Sequence, residues 1–344
     1  MRKTRVAVAM SGGVDSSLSA ALLQEAGYEV IGVSMQLWKE EAGLSSVEEA
    51  RRVCHLLDIP FRIIDLEPQF QSYVVDYFCG EYTRGRTPNP CIACNQQIKF
   101  NLLLRQVLSL GAEYLATGHY ARIEGSGDEY RLLKGVDRGS DQSYFLCTLG
   151  QWELQHLLFP LGDYLKTEVR HMAAQRGLPV ADKPKSQDLC FISNSDYRHF
   201  LKGYISPIPG EIVDTEGKVL GRHQGIAFYT VGQRTGLGPA LGKRLYVTAI
   251  DARNNILVVG SEDELFASKL LATKVGFVGG KPHQPLAIKA KIRYRSPEAS
   301  AMLCPYEDGV EVRFHQPQRA ITPGQAVVFY QDDQILGGGI IEAC

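Results

Sequence analysis

Arg5 to Met10 form a short aliphatic run that passes directly into Ser11-Gly-Gly-Val-Asp-Ser-Ser17. The run predicts a buried parallel strand. Gly12 and Gly13 predict a tight turn whose backbone approaches a ligand without Cβ interference, and Ser16 or Ser17 is expected to cap a helix reaching about Ala26. A strand fed into a helix through such a turn commits the chain to a layered α/β arrangement and presents backbone N–H groups to an anion. The hydroxyls of Ser11, Ser16 and Ser17 add donors suited to a pyrophosphate. The Gly-Lys-Ser/Thr ending of a Walker loop is missing, so no lysine is placed on a terminal phosphate. Asp15 suits Mg2+, directly or through water.

The string resembles the PP-loop of the ATP pyrophosphatase superfamily. That resemblance implies cleavage of ATP to AMP and pyrophosphate, usually with adenylation of a carbonyl oxygen. Among PP-loop enzymes the substrate stays open at this point: amides, nucleobases and amino acids all qualify.

After the first helix, Glu29 to Leu37 predicts a second strand, Ser46 to Leu57 a helix and Phe61 to Leu66 a third strand. Asn101 to Leu110 is apolar at helical spacing and leads to a strand at Tyr114 to Ala116; Thr167 to Arg176 predicts a further helix closed by Gly177 and Pro179. The alternation gives a doubly wound, mostly parallel sheet. Its crevice lies beyond the carboxyl ends of the strands, which gathers the glycine turn, Met35 and Ala116-Thr-Gly-His-Tyr120. Past about residue 204 the texture changes to short β-rich runs punctuated by Gly and Pro, read as small antiparallel strands. The expected division is residues 1–203 for nucleotide binding and chemistry, 204–266 for a small central β domain and 267–344 for a C-terminal β-barrel.

A chain of 344 residues, 44% hydrophobic and 22% charged, has ordinary globular composition. No apolar run reaches spanning length and nothing resembles a signal peptide, so no membrane association and a cytoplasmic location are expected. The formal net charge of −1 argues against indiscriminate nucleic-acid binding but leaves room for a local basic face. In Ile288-Lys-Ala-Lys-Ile-Arg-Tyr-Arg295 a continuous strand would aim Lys289, Lys291, Arg293 and Arg295 at one side, either toward phosphates or as a solvated face.

Eight cysteines in this length do not make a disulfide scaffold. Cys91 and Cys94 lie in Thr87-Pro-Asn-Pro-Cys-Ile-Ala-Cys-Asn95 near a predicted helix start, where the local dipole favours a thiolate. Cys190 lies far along the chain, with Lys183 and Lys185 placed to hold its thiolate or persulfide. Cys94 and Cys190 therefore read as redox thiols; the lesser alternative is an iron–sulfur cluster held by Cys91, Cys94 and Cys190 with one iron open to sulfide. Cys54, Cys79, Cys147, Cys304 and Cys344 read as core filler, as do the aromatics Trp38, Trp152 and Tyr229.

Ser11 to Ser17, Thr87 to Pro90 with Cys94-Asn and Ile98-Lys-Phe100, Ala116 to Arg122, Asp141-Gln-Ser-Tyr-Phe-Leu146, Lys166-Thr-Glu-Val-Arg170, Cys190-Phe-Ile and His223-Gln-Gly to Gly238 together resemble the tRNA-specific 2-thiouridylase family, in order over essentially the whole chain. The resemblance implies an adenine nucleotide alpha-hydrolase-like fold and ATP-dependent replacement of O2 by sulfur at the wobble uridine, position 34, of the tRNAs for Lys, Glu and Gln. ATP with Mg2+ would bind at Ala9, Met10, Ser11, Gly12, Gly13, Val14, Asp15, Ser16, Met35 and Gly118. A sulfur-relay protein or cysteine desulfurase would load Cys190 as a persulfide, and Cys94 would release the terminal sulfur. Asn89, Pro90 and Cys91 would contact the target base, with His119, Ser140, Asp141, Gln142, Tyr294, Arg295 and Gln325 on the rest of the tRNA. His119 also reads as a hydrogen-bonded structural residue.

The chain departs from the family pattern at Cys91, more often aspartate, at Ser140, usually lysine, and at Gln187-Asp-Leu189, where smaller residues are commoner. Two other functions compete: a PP-loop ligase acting on a small molecule, and a tRNA-binding protein without catalysis.

Overall fold

A computed structural model describes residues 3–38, 41–127, 129–180, 189–192, 196–237 and 244–343. Five strands, β1 (Arg5–Ala9), β2 (Glu29–Gln36), β3 (Phe61–Asp65), β4 (Tyr114–Ala116) and β7 (Leu157–Leu158), form a parallel sheet in the order β3-β2-β1-β4-β7. Strand β1 is apolar throughout because both its faces are covered. Val6 and Val8 pack with Leu18, Ala50, Val53 and Val169, from the helices Val14–Glu25, Glu41–Leu56 and Lys166–Gln175. Ala7 faces the other layer, with Phe70, Phe78, Ile98 and Leu103 from the helical runs 67–83 and 90–109. This is the doubly wound α/β fold expected from the alternation, and the strand order reverses direction between β1 and β4.

Two helices begin earlier than their apolar spacing predicts. The second starts at Glu41, not Ser46. The helix expected from Asn101 is the end of a run that begins at Pro90, where the Asn89 side chain accepts from the Ile92 N–H at 3.3 Å. Asn at the cap and Pro at the first position set that start. Cys94 to Leu103 is wound as a π-helix before α-geometry resumes at Leu104–Ser109.

The central sheet has the order β10-β11-β8-β9, from β8 (Gly210–Asp214), β9 (Val219–His223), β10 (Tyr246–Asp251) and β11 (Ile256–Gly260). It is mixed, not wholly antiparallel, because β11 pairs with β8 in parallel. The last unit is a closed barrel of β12 (Phe266–Phe277), β15 (Gly309–Arg319), β14 (Ala299–Tyr306), β13 (Leu286–Lys291), β16 (Ala326–Gln331) and β17 (Gln334–Ala343), sealed by pairing of β12 with β17. The hairpin β5 (Ala121–Ser126) and β6 (Glu129–Lys134) leaves the nucleotide-binding half and extends the barrel sheet through β17. No helix among the described residues is long and apolar enough to cross a membrane.

All three units meet at Gly85 to Pro88. Gly85 has φ +69°, and an added Cβ would lie 2.5 Å from Ile250 Cγ2 of the central sheet. The Thr87 hydroxyl donates to that of Thr230 at 3.1 Å, and the Thr87 N–H donates to the Pro323 carbonyl at 2.9 Å. Arg86 lies between two carboxylates, with Nε 2.7 Å from Glu81 and Nη1 2.5 Å from Glu342 of the barrel. Burial would raise the Glu342 pKa, but the hydrogen bonds from Arg86 and Thr273 outweigh it and hold the carboxyl below its ordinary value. A lowered carboxyl stabilises the fold above its unfolded pKa, and that contribution is lost as pH falls through the folded one.

Arg86→Met is therefore expected to cost about 2 kcal/mol in urea denaturation at neutral pH. That is less than the roughly 3–5 kcal/mol of fully buried pairs, because Glu342 is 35% exposed. The difference from wild type should shrink on acidification through the carboxylate range.

Candidate active site

The glycine turn follows β1 at the switch point. Gly12 has φ +68°, and a Cβ there would lie 2.5 Å from the Ser46 carbonyl oxygen, so the turn is pressed under the helix Glu41–Leu56 and admits only glycine. Neither Ser16 nor Ser17 caps the following helix. Gly13 is the N-cap, and both serines lie in the first turn with hydroxyls donating back to the Gly13 carbonyl at 3.2 and 2.8 Å. Ser16 Oγ also accepts from the Ser11 N–H at 3.2 Å, which folds the loop onto the helix start.

Asp15, the expected Mg2+ ligand, carries an ion pair that the sequence did not reveal. Lys166 Nζ lies 2.5 and 2.7 Å from its two carboxylate oxygens, and the Tyr120 hydroxyl donates to Oδ1 at 2.8 Å. Burial first, then the Asp15 charge, raises the Tyr120 pKa, so the phenol stays protonated. Lys166-Thr-Glu-Val-Arg170 was visible as a helix start, but its link to Asp15 bridges parts of the chain far apart in sequence. Gly118 closely approaches the loop itself: a Cβ there would lie 2.8 Å from the Asp15 carbonyl carbon and 2.9 Å from the Ser16 nitrogen. Met35 is half-buried at the end of β2, packed against the core.

His119 follows Gly118 and points away from the loop. It is buried, its Nδ1 is 2.7 Å from the Thr117 hydroxyl, and its ring packs against those of Phe100 and Phe159, which also touch each other. Burial, with help from the Lys99 charge, pushes its pKa well down, so it is neutral at physiological pH. The same Lys99 acts on all three cysteines of interest. Cys94 is buried, and burial raises its thiol pKa while Lys99 opposes the rise. Cys190 is raised by burial first and then by Cys94 and Cys91, again with Lys99 opposing. At Cys91 burial alone raises the thiol and Lys99 opposes it. By exposed surface Cys91 and Cys190 reach solvent while Cys94 is buried.

The expected thiolates are therefore thiols in this state. The helix starts at Pro90, so Cys94 lies beyond the first turn and the dipole does not offset desolvation. Lys183 and Lys185 lie outside the described residues. Cys190 is held in place by its neighbour Phe191, whose ring centre lies 5.7, 5.4 and 5.2 Å from those of Phe70, Phe78 and Phe200. Among the described residues, no group of three or more His, Cys, Asp or Glu is arranged to hold a metal ion. Cys54, Cys79 and Cys147 are buried as expected of filler, Cys304 is half-buried on a barrel strand, and Cys344 lies outside the described residues. Tyr229 is buried, but Trp152 is 37% exposed, with Arg105 over its ring, and is not a core residue.

Most residues expected on tRNA make internal hydrogen bonds here. Asn89 caps its helix and Pro90 is buried. Ser140 is buried, and the Asp141 carboxylate accepts from the N–H groups of Gly135 and Ser143 and from the Ser143 hydroxyl. Gln142 exchanges two hydrogen bonds with the Tyr120 backbone, at 3.1 and 2.9 Å. Tyr294 donates to the Asp141 carbonyl at 3.1 Å with its ring 4.4 Å from Phe145, and Gln325 donates to the Thr87 and Pro88 carbonyls. Arg295 is exposed.

The four-cation strand face does not form. Strand β13 ends at Lys291; the chain then turns, and Arg293 folds inward onto the carbonyls of Arg319 and Ala320. Lys289 and Arg295 remain exposed.

A gap too tight for one methyl group lies at the centre of this site. Gly118→Ala is expected to destabilise the fold by about 1–3 kcal/mol and to weaken ATP binding by displacing the helix start. Thermal denaturation and ATP titration of the same variant check both effects.

Residues 4–194 match a family model described as the tRNA methyl transferase HUP domain, residues 198–261 one described as the tRNA methyl transferase PRC-barrel domain, and residues 267–341 one described as the aminomethyltransferase beta-barrel domain. Curated relatives match at full length. The tRNA-specific 2-thiouridylase MnmA of Pelotomaculum thermopropionicum is 48% identical over 359 residues, covering 100% of this chain and 98% of its own. That of Moorella thermoacetica is 49% identical over 352 residues, covering 98% and 99%, and that of Acetivibrio thermocellus 48% over 359 residues, covering 99% and 100%. With the PP-loop at the switch point, two β units behind it and such identity along its whole length, the chain belongs to the tRNA-specific 2-thiouridylase family.

Proposed function

We propose that this protein is a tRNA-uridine 2-sulfurtransferase that activates O2 of uridine 34 with ATP and replaces it with sulfur delivered through Cys190 and Cys94. The observation that carries the proposal is the match to the tRNA-specific 2-thiouridylases along the whole chain; it is supported by the charges of Cys94 and Lys99 acting on the Cys190 thiol, far away in sequence.

The loop from Ala9 to Ser16 would hold the triphosphate, with Met35 and Gly118 lining the nucleotide. Asp15 with the hydroxyls of Ser11 and Ser16 is a set of hard oxygen donors that suits Mg2+, which when bound neutralises phosphate charge. Lys166, already at the loop, supplies the cation that the missing Walker lysine would have given. Uracil O2 attacks the α-phosphorus and pyrophosphate leaves, stabilised by the loop and Lys166. Cys190 carries a persulfide received from a sulfur-relay protein or cysteine desulfurase. The Cys94 thiolate attacks Cys190 Sγ, the persulfide bond breaks, and sulfide leaves to add at C2 as AMP departs with the original oxygen. The Cys94–Cys190 disulfide then requires an external thiol reductant. In the alternative order, the terminal persulfide sulfur adds to C2 first and Cys94 releases it afterwards.

Substrates would be the tRNAs for Lys, Glu and Gln. Asn89, Pro90 and Cys91 would meet the base. His119, Ser140, Asp141, Gln142, Tyr294, Arg295 and Gln325 would contact the RNA after giving up some of their internal hydrogen bonds.

Anaerobic incubation with unmodified tRNA, Mg-ATP and a persulfide source, followed by assay of AMP and 2-thiouridine, tests the proposal. Cys94→Ser and Cys190→Ser should each lower thiolation by roughly a thousandfold or more, while Cys91→Ser keeps much of it. An equally inactive Cys91→Ser variant, with iron copurifying in the wild type, would contradict the persulfide route.

A further inference from the structure

We propose that Lys99 is the positioning residue for the sulfur chemistry, its ammonium holding in place the single negative charge that passes from Cys94 to the departing sulfide. The inference rests on the roles given above to Cys94 and Cys190 and adds the group that makes them usable.

The helix winding brings Lys99 to the thiols. Cys94 to Leu103 is a π-helix, and at its end the Leu104 N–H bonds to the Lys99 carbonyl five residues back. In such winding, residue 99 stands one turn above residue 94 on the same face. In an α-helix, five residues would carry it about 140° round the axis, away from Cys94. Ile98 and Phe100 flank Lys99 and are 0% and 1% exposed, so its backbone is locked on both sides while its own side chain is half-buried. The groups that feel its charge are the Cys91, Cys94 and Cys190 thiols and the His119 ring. His119 is neutral there and brings no second cation.

The charge balance of the sulfur step suits one fixed cation. The Cys94 thiolate and the Cys190 persulfide become a disulfide and hydrosulfide, so one negative charge is present before and after and merely changes atoms. Burial disfavours that charge at every stage, and a lysine one helical turn from Cys94 whose charge also acts on Cys190 lowers its cost at both ends.

The test needs neither ATP nor tRNA. The rate of modification of Cys94 and Cys190 by methyl methanethiosulfonate at pH 8 would be mapped by peptide mass spectrometry in wild type, Lys99→Met, Lys99→Gln and Lys99→Arg, with buried Cys79 and Cys147 as internal controls. Loss of the ammonium should slow Cys94 and Cys190 about tenfold, the effect of one pKa unit on thiolate population. Arginine should restore most of the rate, and the controls should not move. Unchanged rates at Cys94 and Cys190 would overturn the proposal. Acceleration of all four cysteines together would overturn it as well, because that is the mark of loosened packing. If instead the Lys99 effect holds while Cys94→Ser and Cys190→Ser still thiolate tRNA, the charge assignment stands and the proposed reaction falls.

Discussion

Gly118 pressed against Asp15 is the contact on which the site depends. No side chain fits between them, so the segment that leaves β4 lies directly on the helix start that follows β1. The next two residues diverge. Tyr120 returns to Asp15 through its hydroxyl and is clamped by Gln142, while His119 turns to Phe100 and the face that carries Lys99. Three consecutive residues thus link the nucleotide loop to the thiol helix. A strand order that reverses between β1 and β4 makes this possible, because only there do two strand ends open side by side toward one crevice.

The second consequence of the architecture is that the side chains to which the proposed function gives RNA contact already position the units of the fold. Gln325, Tyr294, Asp141 and Gln142 fasten the barrel and the β5–β6 region to the nucleotide-binding half. Arg86 and Thr87 complete that joint. Net gains of about 1 kcal/mol per hydrogen bond are small enough to be exchanged for contacts to a polyanion. A tRNA that engages these residues would therefore loosen the joint as it binds, and substitution at any of them acts on assembly and on RNA contact together.

What the sequence made legible was local. The strand, the Gly12 and Gly13 turn and the acidic Asp15 are neighbours along the chain, so their meaning is contained in a short string, and the layered fold followed from alternation alone. The Asp15 partner could not be read, because Lys166 reaches it across the sheet and its own neighbourhood shows only a helix start. The cationic strand failed for a related reason: alternation predicts a face only while the strand lasts. Tyr294 docks on Phe145, and Arg293 finds carbonyls at Arg319 and Ala320, which ends β13 at Lys291. The π winding after Cys94 leaves no trace in apolar spacing, so the alignment of Lys99 with Cys94 is invisible in the Ile98-Lys-Phe100 motif. The thiolate expectation weighs the helix dipole and leaves out burial, which raises the Cys94 thiol.

The account stands on Cys94 and Cys190 exchanging sulfur with each other. One turnover with persulfide-loaded protein, tRNA and ATP in the absence of reductant, followed by non-reducing peptide mapping, measures this directly. A Cys94–Cys190 linked peptide should accumulate in step with the 2-thiouridine formed. Thiouridine produced with the two cysteines left unlinked would contradict it.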